Sequence, residues 1–486
     1  MEQNESIVRK NDLTQGPILS KLIWFALPLI ASNLVMQLYN VVDSIVVGQV
    51  MGDRGIAAVG LSFPIMMLFN ALFVGVSMGA NIVISQAFGA KDMEGVNRAV
   101  NTSVFVSGVA GILITIVGVA LARPILHLLG TPEEILEDAA VYLMIVFGGT
   151  LGSVIFNVLS GALRGMGESR WPLYAMITST LFNIVFDTLF TIYMGMEVAG
   201  VAIATFASYF LSGVILLFRI NTGVYGVKIT LSQVLKPHVV TIKKILRFGL
   251  PTGVQMVAMS LGATINQAFA NNFGANLVAA NSVIMRTDGF ALLPLMGIGM
   301  AMTTFSGQNI GAGKPERTRK GIYIALVTIL AVSLAMGVLM WFTGGSIMRL
   351  FNVSDTVRGI GVEGVRVICF FYTFMGSQQC ISGAMRGAGA VIPPLLTSIA
   401  AVFVRIAVTY AIAIVPLNRA IQAAVDNGLY TSFEAAKAAG VGTEGYAAMF
   451  YSMCVGMVAG AVFDFLYFKF GNWKSAANGS ISEIIS

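Results

Sequence analysis

The chain has 486 residues, 56% hydrophobic and only 11% charged, with a net charge of +6 and a mean hydropathy of +0.83. Soluble domains carry about 25% charged residues, so this composition excludes a soluble globular protein and specifies an integral membrane protein. Its two His and three isolated Cys exclude a disulfide framework and a CxxC metal site, and in such a chain the positive balance reflects basic loops rather than nucleic-acid binding.

The stretch Met1–Leu22 is polar and lacks a signal-peptide apolar core. A spanning helix needs about 20 apolar residues. Twelve segments qualify: 22–47, 56–83, 100–121, 139–161, 172–194, 199–218, 248–272, 278–305, 321–343, 364–385, 393–415 and 446–468. With the N-terminus inside, 20 of the 29 basic residues fall on inner segments and six on outer ones. The positive-inside rule then makes both termini cytoplasmic in a multi-pass protein of the cell membrane.

Helix 1 contains QLYNVVDSIVVG (Gln37–Gly48), where Asp43 ends a polar edge formed by Asn33, Gln37 and Asn40. Helix 5 contains NIVFD (Asn183–Asp187). Asp43 lies ten residues before Asp53 and Asp187 ten before Glu197, each on the outer side. At 1.5 Å per residue, both carboxylates sit about 15 Å in from those charges. Asn40 at i−3 and Asn183 at i−4 share a helix face with their acids. An acid at the bilayer centre costs about 2.5–3.5 kcal/mol. A functional role therefore outweighs a purely structural one, in which the acids would join helices by hydrogen bonds. Paired buried carboxylates bind protons, and their oxygens also suit Na⁺ at Asp43, Asp187 and Asn183.

Later helices carry fewer charges. Arg286 and Asp288 in helix 8 either pair locally or line a cavity. Arg405 in helix 11 is either a fixed counter-charge or a helix anchor. Asp464, five residues from Lys469, reads as interfacial. Before helix 12 lies an extra segment, near 418–440, with Ile421, Val425, Leu429 and Phe433 four apart. One amphipathic helix on the outer face is expected there in preference to a gate.

The two halves repeat. LSGALRGMGESRWP (Leu159–Pro172) matches ISGAMRGAGAVIPP (Ile381–Pro394), SQAFGAKDME (Ser85–Glu94) matches GQNIGAGKPE (Gly307–Glu316), and FALPL (Phe25–Leu29) matches FGLPT (Phe248–Thr252). The offset is 222 or 223, across six spans, so the repeats are parallel and related by a pseudo-two-fold along the membrane normal. The fold class expected is all-α, with twelve transmembrane helices in two six-helix lobes. The lobes comprise residues 1–218 and 248–486, joined by a basic linker over 219–247. Chemically they differ: Asn183 maps to Arg405, Asp187 to Thr409, and Asp43 to Ile265 or Asn266.

Two apparent enzyme motifs fail. GVSMG (Gly75–Gly79) is mid-helix and without a His partner, so it is a small-residue packing face rather than a nucleophile elbow. GQNIGAGKP (Gly307–Pro315) has the wrong spacing for a Walker A loop, and Pro follows its Lys. No enzymatic activity, nucleotide or organic cofactor is expected.

Taken together, the helix 1 sequence FALPLIASNLVMQLYNVVDSIVVGQVMG, the loops SQAFGAKD and GQNIGAGK, the paired SGALRGMG and SGAMRGAG segments, and NIVFD resemble the multidrug and toxic compound extrusion (MATE) family, bacterial members especially. The resemblance implies two six-helix lobes around a V-shaped cavity and exchange of H⁺ or Na⁺ for drugs, often cationic and aromatic. It carries the family's helix 1 Asp onto Asp43 and its helix 5 Asn and Asp onto Asn183 and Asp187. Some branches place a Glu in helix 7 and an Asp in helix 10, where this chain has Met259 and Met375. Coupling is thereby expected in the first lobe, with H⁺ preferred over Na⁺. The expected protein is a monomeric antiporter with an amphipathic, cationic substrate and the lipid bilayer as its partners. Asn33, Gln37, Arg286, Asp288, Arg405, Met259 and Met375 are its expected cavity residues. The alternative is a lipid-linked precursor flippase of the same superfamily, which would need several cavity cations.

Overall fold

The computed structural model describes residues 12–471 and 473, apart from 129, 130, 132 and 352. Its helices satisfy backbone donors and acceptors within themselves, as lipid-embedded backbone requires. Among the described residues, ten helices are long and apolar enough to cross a membrane, and two bent pairs bring the number to twelve. The helical run Ile18–Gly89 contains α1 (Ile18–Tyr39) and α2 (Phe69–Gly89). Next come α3 (Met93–Leu128), the bent α4 (Ile135–Gly148 with Thr150–Gly165), α5 (Arg170–Thr191) and α6 (Ala199–Asn221). The second half has α7 (Val239–Phe273), the bent α8 (Ala275–Ala291 with Leu293–Gly311) and α9 (Pro315–Leu350). It ends with α10 (Asp355–Gly387), α11 (Ile392–Asp426) and α12 (Thr443–Phe470).

The irregularities have local causes. The 44° bend of α4 falls at Gly149, where Phe206 of α6 packs so closely that a Cβ would meet its own Cβ at 2.7 Å. The 47° bend of α8 falls at Leu292, two residues before Pro294, which has no amide proton to give. Within α5 and α11, the turns Thr188–Tyr193 and Tyr410–Ile414 are π-helical. Their first residues are 222 apart, so the repeat extends to backbone detail.

Each half has a core. In the first, Leu159 and Leu163 of α4 and Met166 just after it pack with Val96 and Val100 of α3 and with Leu216 and Ile220 of α6. In the second, Phe305, Ile322, Met385 and Phe450 share a cluster that also takes in Leu22, Phe25 and Leu29 of α1. The first helix therefore packs one face against the second half. Gly75 and Gly79 of α2 pack as the small-residue reading requires: a Cβ on Gly75 would fall 2.8 Å from the Gly253 Cα of α7.

Several sequence expectations change. Helices α6 and α7 extend into the expected linker, leaving 222–238 as the connection. That connection folds back onto the first half. Tyr225 is buried and donates to Glu168 at 2.8 Å, while the Arg219 guanidinium lies 4.7 Å from the Trp171 ring centre. The segment near 418–440 forms two helices rather than one. Helix α11 runs on to Asp426, and Gly428, at φ 72°, stops it. Ser432 then caps Phe433–Ala438 by accepting from the Ala435 amide at 3.2 Å. Ile421 is buried but Leu429 is 70% exposed, so no single apolar stripe forms. Asp464 is not interfacial: it is fully buried among α10, α11 and α12. Arg164 and Arg386, two of the 20 basic residues counted on inner segments, lie in the last turns of α4 and α10, and Arg386 is buried.

Candidate functional site

Asn183 and Asp187 are both completely buried, one helical turn apart on α5. Asp187 is the last α-helical residue before the π turn, and its carbonyl oxygen accepts from the Thr191 hydroxyl. Single π turns interrupt the regular hydrogen-bond ladder and concentrate at functional sites. At the same point of α11 stand Arg405 and Thr409. Thr409 donates to the Arg405 carbonyl and lies 2.8 Å from the Ser452 hydroxyl of α12. The scaffold is thus duplicated while the acid is present in one half only.

Helix α1 approaches this region. Buried Tyr39 lies 3.0 Å from the Thr205 hydroxyl of α6, and its ring meets Tyr209 edge-on at 6.2 Å. Asn40 and Asp43 follow directly, but their side chains lie outside the described residues.

Two other members of the polar edge of α1 face the second half. Asn33 lies 4.0 Å from the Met300 sulfur, and Gln37 closes on Gly289, where a Cβ would be 2.8 Å from its amide nitrogen. Beside Gly289, Asp288 accepts a hydrogen bond from Tyr372 of α10. Arg286 is exposed and is not Asp288's bonding partner. Arg405 donates to the Gly262 carbonyl of α7, which makes it an anchor between helices. Met259 and Met375 are half-buried on α7 and α10. The structure therefore brings Asn183 together with Asp187, and Gln37 against Gly289, the chain neighbour of Asp288. The two Met residues share no described contact with either group.

Sequence reasoning missed three features. Tyr372 was not connected to Asp288, 84 positions away. Asp464 is held by Ser382 and Thr397, which are distant in the chain. Arg386 donates to Gln255 at 3.0 Å, and Gln255 in turn donates to Ser398 at 2.7 Å. The SGAMRG repeat was the available signal for Arg386, because its first-half copy also ends a span.

Among the described residues, no group of three or more His, Cys, Asp or Glu is placed to hold a metal ion. An alkali cation bound by one carboxylate and neutral oxygens does not need such a group.

Comparison with known proteins agrees with this architecture. The MatE family model matches twice, over residues 28–189 and 251–411. The probable multidrug resistance protein YpnP of Bacillus subtilis is 26% identical over 464 residues, covering 96% of this chain and 98% of that protein. The probable multidrug resistance protein NorM of Thermotoga maritima is 26% identical over 388 residues, covering 78% and 82%. A solved outward-facing multidrug resistance MATE transporter superposes with a TM-score of 0.83 at 23% identity, covering 96% and 98%, a likeness of fold. The chain belongs to the MatE family, the multidrug and toxic compound extrusion transporters.

Proposed function

We propose that this protein is a cation-coupled antiporter that exports amphipathic, cationic compounds by alternating access, with H⁺ as the preferred coupling ion and Na⁺ as the alternative. Its lobes are α1–α6 and α7–α12, joined by the connection at 222–238, and both termini are cytoplasmic. The observation that carries the proposal is the complete burial of Asp187 with Asn183 beside a π turn whose copy in the other half has Thr409 and Arg405 instead. A buried acid that the duplicated scaffold does without is retained for its chemistry rather than for folding.

In this reading Asp187, Asn183, Asn40 and Asp43 bind the coupling ion from outside. Binding there repacks α1 against α6 through the Tyr39–Thr205 contact. Because α1 also carries Asn33 and Gln37 against α8, the change reaches the face between the halves, where substrate leaves. Substrate and ion then compete through one helix, which is the requirement for exchange. The flippase alternative is weaker, since the Arg405 guanidinium is engaged by the Gly262 carbonyl rather than facing an anionic ligand.

The test is concentrative export of a cationic dye by cells expressing Asp187→Asn or Asp43→Asn at the wild-type level. Export against the gradient is expected to cease in both. Undiminished export by both variants would overturn the assignment.

A further inference from the structure

We infer that Gln86 and Gln308 form a reciprocal latch that holds the two halves together at the end bearing the basic loops, and that the N-terminal segment makes one arm of it the stronger. The Gln86 side-chain amide of α2 donates to the Gly387 carbonyl at 3.0 Å. The Gln308 amide of α8 donates to the Gly165 carbonyl, also at 3.0 Å. Gln86 and Gln308 are 222 positions apart, and so are Gly165 and Gly387. The two bonds are copies of each other across the pseudo-two-fold, each crossing from one half to the other. Both glutamines are buried.

The acceptors explain why the bonds matter. Gly165 and Gly387 are the last residues of α4 and α10. A helix's final carbonyls have no partner within the helix. Each half thus caps a helix end of the other, and parting the halves uncaps both at once.

The backbone is equally reciprocal. A Cβ on Gly89 would lie 2.6 Å from the Gln308 carbonyl carbon, and one on Gly311 would lie 2.7 Å from that of Gln86. These approaches admit only glycine while the latch is shut. The flanking polar contact, from Asn81 to the Thr304 hydroxyl at 3.2 Å, seals the same seam.

The arms differ in one respect. The Leu13 amide donates to Gln308 Oε1 at 2.9 Å, and Asn309 returns a bond to the Leu13 carbonyl at 3.3 Å. Lys314 and Arg317 hold the Thr14 and Gly16 carbonyls at 3.1 and 2.7 Å. Leu13 is buried, whereas its repeat counterpart at the local offset of 223, Lys236, is exposed. The first half's leading segment therefore straps Gln308 alone.

This inference rests on the alternating-access reading, but its test reads a distance rather than transport. Spin labels are placed at Arg98→Cys and Lys320→Cys, exposed repeat-related sites at the starts of α3 and α9, in the full-length chain in lipid nanodiscs. The native cysteines are buried. Double electron–electron resonance should give a short distance for the parent protein. Gln308→Ala should raise the longer-distance population about fivefold, more than Gln86→Ala does. Gly311→Ala should abolish the short distance, and Gly108→Ala, with open space around it, should leave the distribution unchanged. A parent-like distribution in both Gln308→Ala and Gly311→Ala would overturn the latch. If Gly311→Ala does not fold, Gln308→Ala decides alone. A lost latch with ion-coupled export intact removes this inference only; lost coupling with the latch intact removes the antiport reading only.

Discussion

Asp187 and Asp464 are both fully buried, and Asp464 has the surroundings of a structural group. Asp464 accepts from Ser382 and Thr397, with Arg386 near enough for the charges to interact. It is a structural tie among three helices. Asp464→Ala would remove the carboxylate that Ser382 and Thr397 bond, a loss of about 1–3 kcal/mol. Thermal unfolding in detergent should therefore drop clearly, while the ion-to-substrate ratio of the surviving protein stays unchanged. At the connection between the halves, burial and then the Glu168 charge push the Tyr225 phenol up from its usual value, so it remains a donor to Glu168. Tyr225→Phe should cost about 1–3 kcal/mol, read as faster proteolysis of 222–238 with transport retained. The positions of the intramembrane acids were legible in the sequence because a charge stands out in an apolar run. The burial of Asp464 was not. Closeness to Lys469 suggested an interface, whereas its partners lie 82 and 67 positions away and only packing reveals them.

At the scale of elements, ten spans, or twelve counting each bent pair as one, were legible among the described residues, since length and hydropathy are local properties. Their ends were less so. Helices α6 and α7 continue past their apolar stretches into the basic segment, and the connection between them folds back onto the first half. The segment near 418–440 has a correct four-residue spacing, but Gly428 and Ser432 carry stop and start signals that outrank the pattern. Ser432→Ala removes a cap worth about 1 kcal/mol. Hydrogen exchange at Phe433–Ala438 should rise several-fold, and exchange in α11 should stay the same. The paired π turns of α5 and α11 had no sequence signature, because they depend on how each helix is held by its neighbours.

For the whole molecule, duplication supplies the symmetry, and under the proposed coupling its violations carry the function. The glycine approaches, the paired π turns and the reciprocal glutamine bonds are shared by both halves. The Asn–Asp pair of α5 belongs to the first alone, with Arg405 turned into an anchor in the second. Such a division predicts that second-half substitutions such as Arg405→Lys alter stability or rates without changing which ion drives transport. Transport driven separately by imposed pH and Na⁺ gradients would show this as an unaltered ion preference.

The most direct test of one-sided coupling is uptake of a cationic dye into proteoliposomes under an imposed pH gradient, with Na⁺ absent, for the parent protein and Asp187→Asn. The account predicts gradient-driven dye movement by the parent and none by the variant. Movement by the parent driven by Na⁺ alone would contradict the proton assignment, and equal pH-driven movement by Asp187→Asn would contradict the site itself.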